Sequence, residues 1–213
     1  MSIPSKKELC QNWKLYVITD PSAAKEKPLP ELIRAAIQGG ASVIQLRDKE
    51  ASDEELTHLA KEILKVTRSK NVPLIVNDRV RVAGLSGAQG VHLGQNDGPL
   101  KEARLVLGDA AIIGRSTHSR EQIIEAQEEG FDYIGVGPVF STPTKPGVAS
   151  VGLDLVRFAA QNIRIPFVAI GGINESNASQ VREAGATAVA VVRAVIDSKD
   201  PESAARNIAR FFL

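Results

Sequence analysis

Eight short apolar runs recur along this chain, with helix-like stretches filling the gaps between them. Four of the runs follow a glycine: GASVIQL from Gly40, GAQGVHL from Gly87, GFDYIGV from Gly130 and GATAVAV from Gly185. A glycine there suits the left-handed residue just past a helix end. Between them stand LYVIT from Leu15, PLIVN from Pro73, AIIGR from Ala111 and IPFVAIG from Ile165. The clearest helical face is Leu29, Leu32, Ile33, Ala36 and Ile37, spaced to bury one stripe. Ser52 with Glu55, and Ser119 with Gln122, have the spacing of capping boxes. Alternating strand and helix demands a parallel sheet covered by helices. Eight such units in 213 residues fit an α/β (β/α)₈ TIM barrel, with a doubly wound open sheet as the structural rival. The expected organisation is one domain over 1–213, with 1–14 as an amino-terminal extension.

Bulk properties exclude several classes of partner. Lys and Arg number 26 against 25 Asp and Glu, for a net charge of +1, so bulk electrostatics gives no reason to expect nucleic acid or a membrane surface. Any anion binding must be local. Cys10 is the only cysteine, and the opening MSIPSKKELCQNWK is too polar for a secretory segment; together these suggest a cytoplasmic protein. No apolar run reaches the roughly 18 residues of a membrane span. Residues 18–30, ITDPSAAKEKPLP, read as a long exposed loop.

The polar clusters follow the apolar runs: QLRDK (45–49), VND (76–78), HLGQND (92–97), GRSTH (114–118) and STPTK (141–145). On parallel strands all of them project from one end of the sheet, where residues distant in sequence can face one substrate. Strand alternation turns Ile44 and Leu46 toward the helices, and Gln45, Arg47 and Lys49 toward the barrel axis and its mouth. At the matching phase of the sixth strand stand Gly135 and Gly137, which leave either a hollow for a ligand or simple relief of crowding.

Asp78 and Asp97 end neighbouring strands, and two carboxylates held close repel unless a cation or proton lies between them. Mg²⁺ suits such a pair, because it takes one or two carboxylates and completes its shell with water and phosphate oxygens. The plainer alternative pairs Asp78 with Arg79 or Arg81 and leaves Asp97 as a helix cap. Arg47, Lys49, Arg115 and Lys145, with the hydroxyls of Ser116, Thr142 and Thr144, suit a diphosphate. Gly171, Gly172 and the segment Val192-Arg193-Ala194 stand where barrels of this kind often cradle a second phosphate, although AIGGI also fits a tight turn into a helix capped by Asn174. No Ser-His-acid arrangement stands out. His92 has the inward phase and reads as a satisfied core residue, whereas His58 and His118 fall on helical surface and cap regions. Residues 141–150, rich in Thr, Pro and Gly, are the candidate lid.

In this order and at these strand ends, QLRDK, ND, HLGQND, GRSTH, GPVFSTPTK and AIGGI resemble the thiamine phosphate synthase family, from about Leu15 to the carboxyl terminus. The resemblance implies an enzyme that joins 4-amino-5-hydroxymethyl-2-methylpyrimidine diphosphate to 4-methyl-5-(2-hydroxyethyl)thiazole phosphate through a carbocation-type substitution. It further implies that Gln45 and Asn77 contact the pyrimidine, and that Arg47, Lys49, Ser116 and Lys145 hold the diphosphate and carry catalysis. Asp78 and Asp97 would bind Mg²⁺. Thr142, Thr144, Gly172 and the strand-eight loop would receive the thiazole phosphate. Many relatives carry serine where this chain has Arg193, so an added guanidinium contact to that phosphate is expected, and Arg115 is likewise not universal. Small-molecule substrates are the implied partners, and a homodimer is compatible with the reading. Two rivals stand: a thiazole tautomerase of the same family, whose histidine in the GxGPVF region is replaced here by Pro138, and a non-catalytic ligand-binding regulator.

Overall fold

The computed structural model describes residues 5–24, 27–142, 147 and 149–213. In chain order the elements are α1 (Lys6–Gln11), β1 (Leu15–Ile18), α2 (Pro21–Ala24), α3 (Leu29–Gln38), β2 (Ala41–Leu46), α4 (Asp53–Arg68), β3 (Leu74–Asn77), α5 (Val80–Ser86), β4 (Gly90–Leu93) and α6 (Leu100–Leu107). There follow β5 (Ile112–Thr117), α7 (Arg120–Glu129), β6 (Tyr133–Val136), α8 (Gly152–Asn162), β7 (Phe167–Ile170), α9 (Ala178–Glu183), β8 (Val189–Val191), α10 (Arg193–Ile196) and α11 (Pro201–Ala209). Each strand pairs in parallel with the next, and β8 returns to β1 in parallel register, Leu15 opposite Val189. The sheet is therefore a closed (β/α)₈ barrel, and the open-sheet rival is excluded.

The local signals explain these boundaries. Gly40, Gly87, Gly130 and Gly185 all have positive φ, so each ends its helix with the turn that only glycine adopts without strain. Ser52 and Glu55 form a complete capping box at the start of α4. The second expected box is only half made. Ser119 accepts from the Gln122 amide, but the Gln122 side chain accepts instead from the backbone N–H of His118.

Alternation along the strands separates two apolar shells. Ile44 and Leu46, with Val91, Leu93, Ile134 and Val136, pack outward against the helices, while Tyr16, Val43, Ile75, Ile112, Tyr133 and Val168 fill the axis. The floor of that interior is Trp13. Its ring stands edge-on to Tyr16 and Tyr133, with centroids 5.5 Å and 4.8 Å away. Helix α1 lies beneath it, tied to the barrel by Lys6, whose ammonium sits 3.1 Å from the Asp132 carboxylate.

Residues 18–30 depart from the exposed loop expected for them. The segment contains the helical turn α2, which buries Ala23 and Ala24, and Asp20 is only 7 % exposed. Two small alanines can pack where larger polar residues could not, and the neighbouring lysines and prolines hide that signal in the sequence.

Cys10 is buried beside Trp13, and burial pushes its thiol up to about 12. The folded protein favours the neutral thiol, a preference fully present below the ordinary thiol range and lost as pH rises toward 12. At pH 8 an aromatic disulfide reagent therefore leaves the native chain unlabelled and titrates the thiol only in denaturant. Stoichiometric labelling of native protein within minutes would contradict that burial.

Candidate active site at the barrel mouth

A cavity of about 470 Å³ opens at the carboxyl-terminal ends of the strands. Its lining brings together Gln45 and Arg47 from β2 and its exit, Asn77 from β3, Ser116 from β5, Thr142 and Gly172 from the loops beyond β6 and β7, and Arg193 from the start of α10. Gly135 and Gly137 both line it, but a methyl at Gly137 would meet the Ile170 carbonyl oxygen at 2.0 Å, so there the glycine relieves crowding against β7. Ile18, Val168 and Ile170 make part of the wall apolar. Such a surface suits a ring held between polar ends.

The acidic pair lies beside Asn77. The Asp78 carboxyl is pushed up to about 6, first by burial and then by the Asp97 carboxyl in hydrogen-bonding contact with it, against the opposing pull of the Lys49 ammonium and the Asn77 side chain. Neither plain alternative for these residues applies. Arg79 turns away to donate to the carbonyls of Ala51 and Lys49 and to the Asp53 carboxylate. Asp97 folds back to accept from the Gly94 amide at 2.6 Å, and the residue preceding α6 is Pro99. Asp78 itself has φ +61, a left-handed residue at the strand exit.

Arg115 does not join the cations at the mouth. Ser116 points into the barrel, so the preceding side chain must point out. Its guanidinium donates to the carbonyls of Gly94, Gln95 and Gly98 and lies 5.3 Å from the Phe131 ring centre. It braces the loop that carries Asp97.

At the opposite rim, Gly171 and Gly172 have φ of +105° and +64°, and the β6–α8 segment passes directly over them. A methyl on Gly172 would lie 2.6 Å from the Ser141 carbonyl oxygen. Asn174 is not the helix cap. It bonds Ser176, while Asn177 precedes α9 and donates to the Gly172 carbonyl at 2.9 Å. Arg193 begins α10, lies 4.0 Å from the Asp20 carboxylate and donates to the Ser22 hydroxyl at 3.2 Å, while its buried Nε has no hydrogen-bond partner.

Thr144 and Lys145 lie outside the described residues, as do 143, 146 and 148 of the expected lid. Sequence reasoning missed Tyr16, Tyr133 and His118. All three approach the cavity or its base, and His118, in the cap region before α7, bonds the Gly137 carbonyl through Nδ1. Strand phase alone would have marked the two tyrosines as inward.

Among the described residues no helix is long and apolar enough to cross a membrane. The family model for thiamine monophosphate synthase matches residues 15–195. The chain is 46 % identical over 198 residues to the thiamine-phosphate synthase of Chloroflexus aurantiacus, covering 92 % of this chain and 91 % of that protein. It is also 46 % identical over 204 residues to the thiamine-phosphate synthase of a Synechococcus strain, but spans only 58 % of that longer protein. Among solved structures, the thiamine phosphate pyrophosphorylase of Pyrococcus furiosus superposes with a TM-score of 0.87 at 38 % identity, over 96 % of this chain and 97 % of that one. The match reaches from the first strand of the barrel past the last, and this chain belongs to the thiamine monophosphate synthase family.

Proposed function

We propose that the chain is a transferase that joins 4-amino-5-hydroxymethyl-2-methylpyrimidine diphosphate to 4-methyl-5-(2-hydroxyethyl)thiazole phosphate, giving thiamine phosphate and diphosphate. The observation that carries this reading is the gathering of an acidic pair, a lysine, an arginine and a serine hydroxyl at one edge of a half-apolar cavity, with a glycine pair and a second arginine at the other. Two anions are thereby held apart, with rings between them.

The chemistry asks little of the protein beyond charge and position. The bond from the pyrimidine methylene carbon to the diphosphate oxygen breaks, and its electron pair leaves with the diphosphate. The aminopyrimidine ring shares the resulting positive charge, and the lone pair of the thiazole nitrogen then forms the new C–N bond. Arg47 and Lys49 offset the charge gathering on the leaving group, and Ser116 donates a hydrogen bond to it. Lys145, in the same role, adds a third cation. Gln45 and Asn77 orient the pyrimidine, while Thr142, Thr144, Gly172 and Arg193 orient the thiazole phosphate. No enzyme nucleophile is needed, in keeping with a sequence in which no Ser-His-acid arrangement stands out.

Mg²⁺ fits the acidic pair. Both donors are oxygens, and they are close enough for each to disfavour the other's charge, which suits an ion that takes one or two carboxylates and retains water and substrate oxygens. Asp78 and Asp97 would hold it. When bound, it would neutralise charge on the leaving diphosphate.

The test is diphosphate release. Release that requires both precursors and Mg²⁺ supports the synthase, isomerisation of the thiazole alone supports the tautomerase, and binding without turnover supports the regulator. Arg193→Ala should raise KM for the thiazole phosphate about tenfold and leave KM for the pyrimidine diphosphate unchanged, since a charge-assisted bond is worth about 1.5–3 kcal/mol and Asp20 already shares this cation. An unchanged thiazole phosphate KM removes Arg193 from that site.

A further inference from the structure

Below the cavity, five polar side chains form one unbroken line across the barrel. Gln45 Nε2 donates to Tyr16 Oη at 2.8 Å, Tyr16 Oη lies 2.8 Å from Tyr133 Oη, Tyr133 Oη lies 2.9 Å from His92 Nδ1, and His92 Nε2 lies 2.9 Å from Ser116 Oγ. The two ends, Gln45 and Ser116, are the residues set above against the pyrimidine and the diphosphate, and the inference rests on that reading.

The direction of the line follows from counting protons. An amide nitrogen only donates, so Tyr16 receives at its Gln45 end. If Tyr16 donates to Tyr133, Tyr133 donates to His92 Nδ1 and the His92 Nε2 proton goes to Ser116, then every donor in the line has an acceptor. Run the other way, the Tyr16 hydroxyl would receive from both neighbours in the line and place its own proton on neither, and the Ser116 proton would be spent on the imidazole. We propose that the line runs from Gln45 to Ser116, making His92 a positioning residue that commits the Ser116 hydroxyl to donate to the diphosphate.

The packing holds the line in place. Trp13 presses edge-on against both tyrosines. Glycine at 114 leaves room for the Tyr133 ring, whose Cζ would lie 2.2 Å from any added methyl, and a methyl at Gly135 would meet His92 Cε1 at 3.4 Å. Burial raises both phenols above their ordinary range, so they keep the protons the line needs. The opposite end is committed too. Gln45 commits one amide N–H to Tyr16 and keeps its carbonyl oxygen as an acceptor, which can pair with an amino substituent on the pyrimidine.

The test combines a spectrum with a kinetic cycle. In protein carrying ¹⁵N-histidine, with the His92 signals assigned by their loss in His92→Gln, the ligand-free wild type should show a protonated Nε2 and an unprotonated Nδ1. The opposite tautomer overturns the proposal. Tyr133→Phe keeps the ring and removes one link, and should lower kcat about tenfold, the worth of one hydrogen bond, with KM for the thiazole phosphate unchanged. Placed on Ser116→Ala it should cause no further loss. An equal loss in both backgrounds means that Tyr133 acts only on the fold, and overturns the proposal. If the wild type releases no diphosphate, the synthase reading fails, while the nitrogen spectrum still decides the direction of the line.

Discussion

Asp78→Asn should turn over on the order of 10²–10³ times more slowly than wild type under saturating Mg²⁺, yet melt a few degrees higher in chelator. Asparagine is nearly isosteric and accepts the left-handed backbone at φ +61, so the fold is not disturbed. What disappears is a carboxylate that burial and Asp97 both disfavour. Because Asp78 is only partly buried, the relief is set at about 1 kcal/mol after screening, or about 2–4 °C for a chain of this size. Asp97→Asn should lose turnover equally with a smaller gain, since its charge also strengthens the 2.6 Å bond it accepts from the Gly94 amide. Steady-state rates and thermal melts of both variants measure this. A near-normal rate in either removes that carboxylate from the mechanism.

Gly172→Ala should raise KM for the thiazole phosphate by at least tenfold and cost about 2 kcal/mol of stability, the sum of a left-handed backbone strain and a clash. The added methyl would meet the Ser141 oxygen at 2.6 Å and Phe140 Cβ at 2.8 Å. Neither can withdraw freely, because the Val139 amide donates to Ile170 and the Phe140 amide to Gly171, stitching the crossing segment to the end of β7. Gly130→Ala is the matched control. Its backbone is left-handed at φ +87 and no atom lies within 4 Å of the added methyl, so it carries the backbone strain without the clash. Equal KM values for the two variants would mean that the Gly172 crossing does not shape the phosphate site.

The barrel was legible because its signals are local. Positive-φ glycines, capping serines and two-residue alternation each act within a few positions, and they placed all eight strands and the inward phase of Gln45 and Arg47. Asp78 and Asp97 could be expected together because they end neighbouring strands, but the backbone that brings them there could not, since it involves the positive φ of Asp78 and the 94–98 loop folding back. Arg115 was misplaced for a related reason. A basic residue at a strand end looks like a ligand until strand phase is applied to it as strictly as to its neighbour. His118 stayed hidden because its role comes from Gly137, a partner nineteen positions away that no spacing rule links to it.

Arg115 and Ser116 are consecutive on β5, one gripping the acidic loop from outside the wall and the other facing the cavity from within. The two duties therefore share a single frame. One residue inserted upstream in that strand would exchange them, driving a guanidinium into the lumen and a hydroxyl against the helices. Neighbouring positions that tolerate substitution should for that reason resist any change in length.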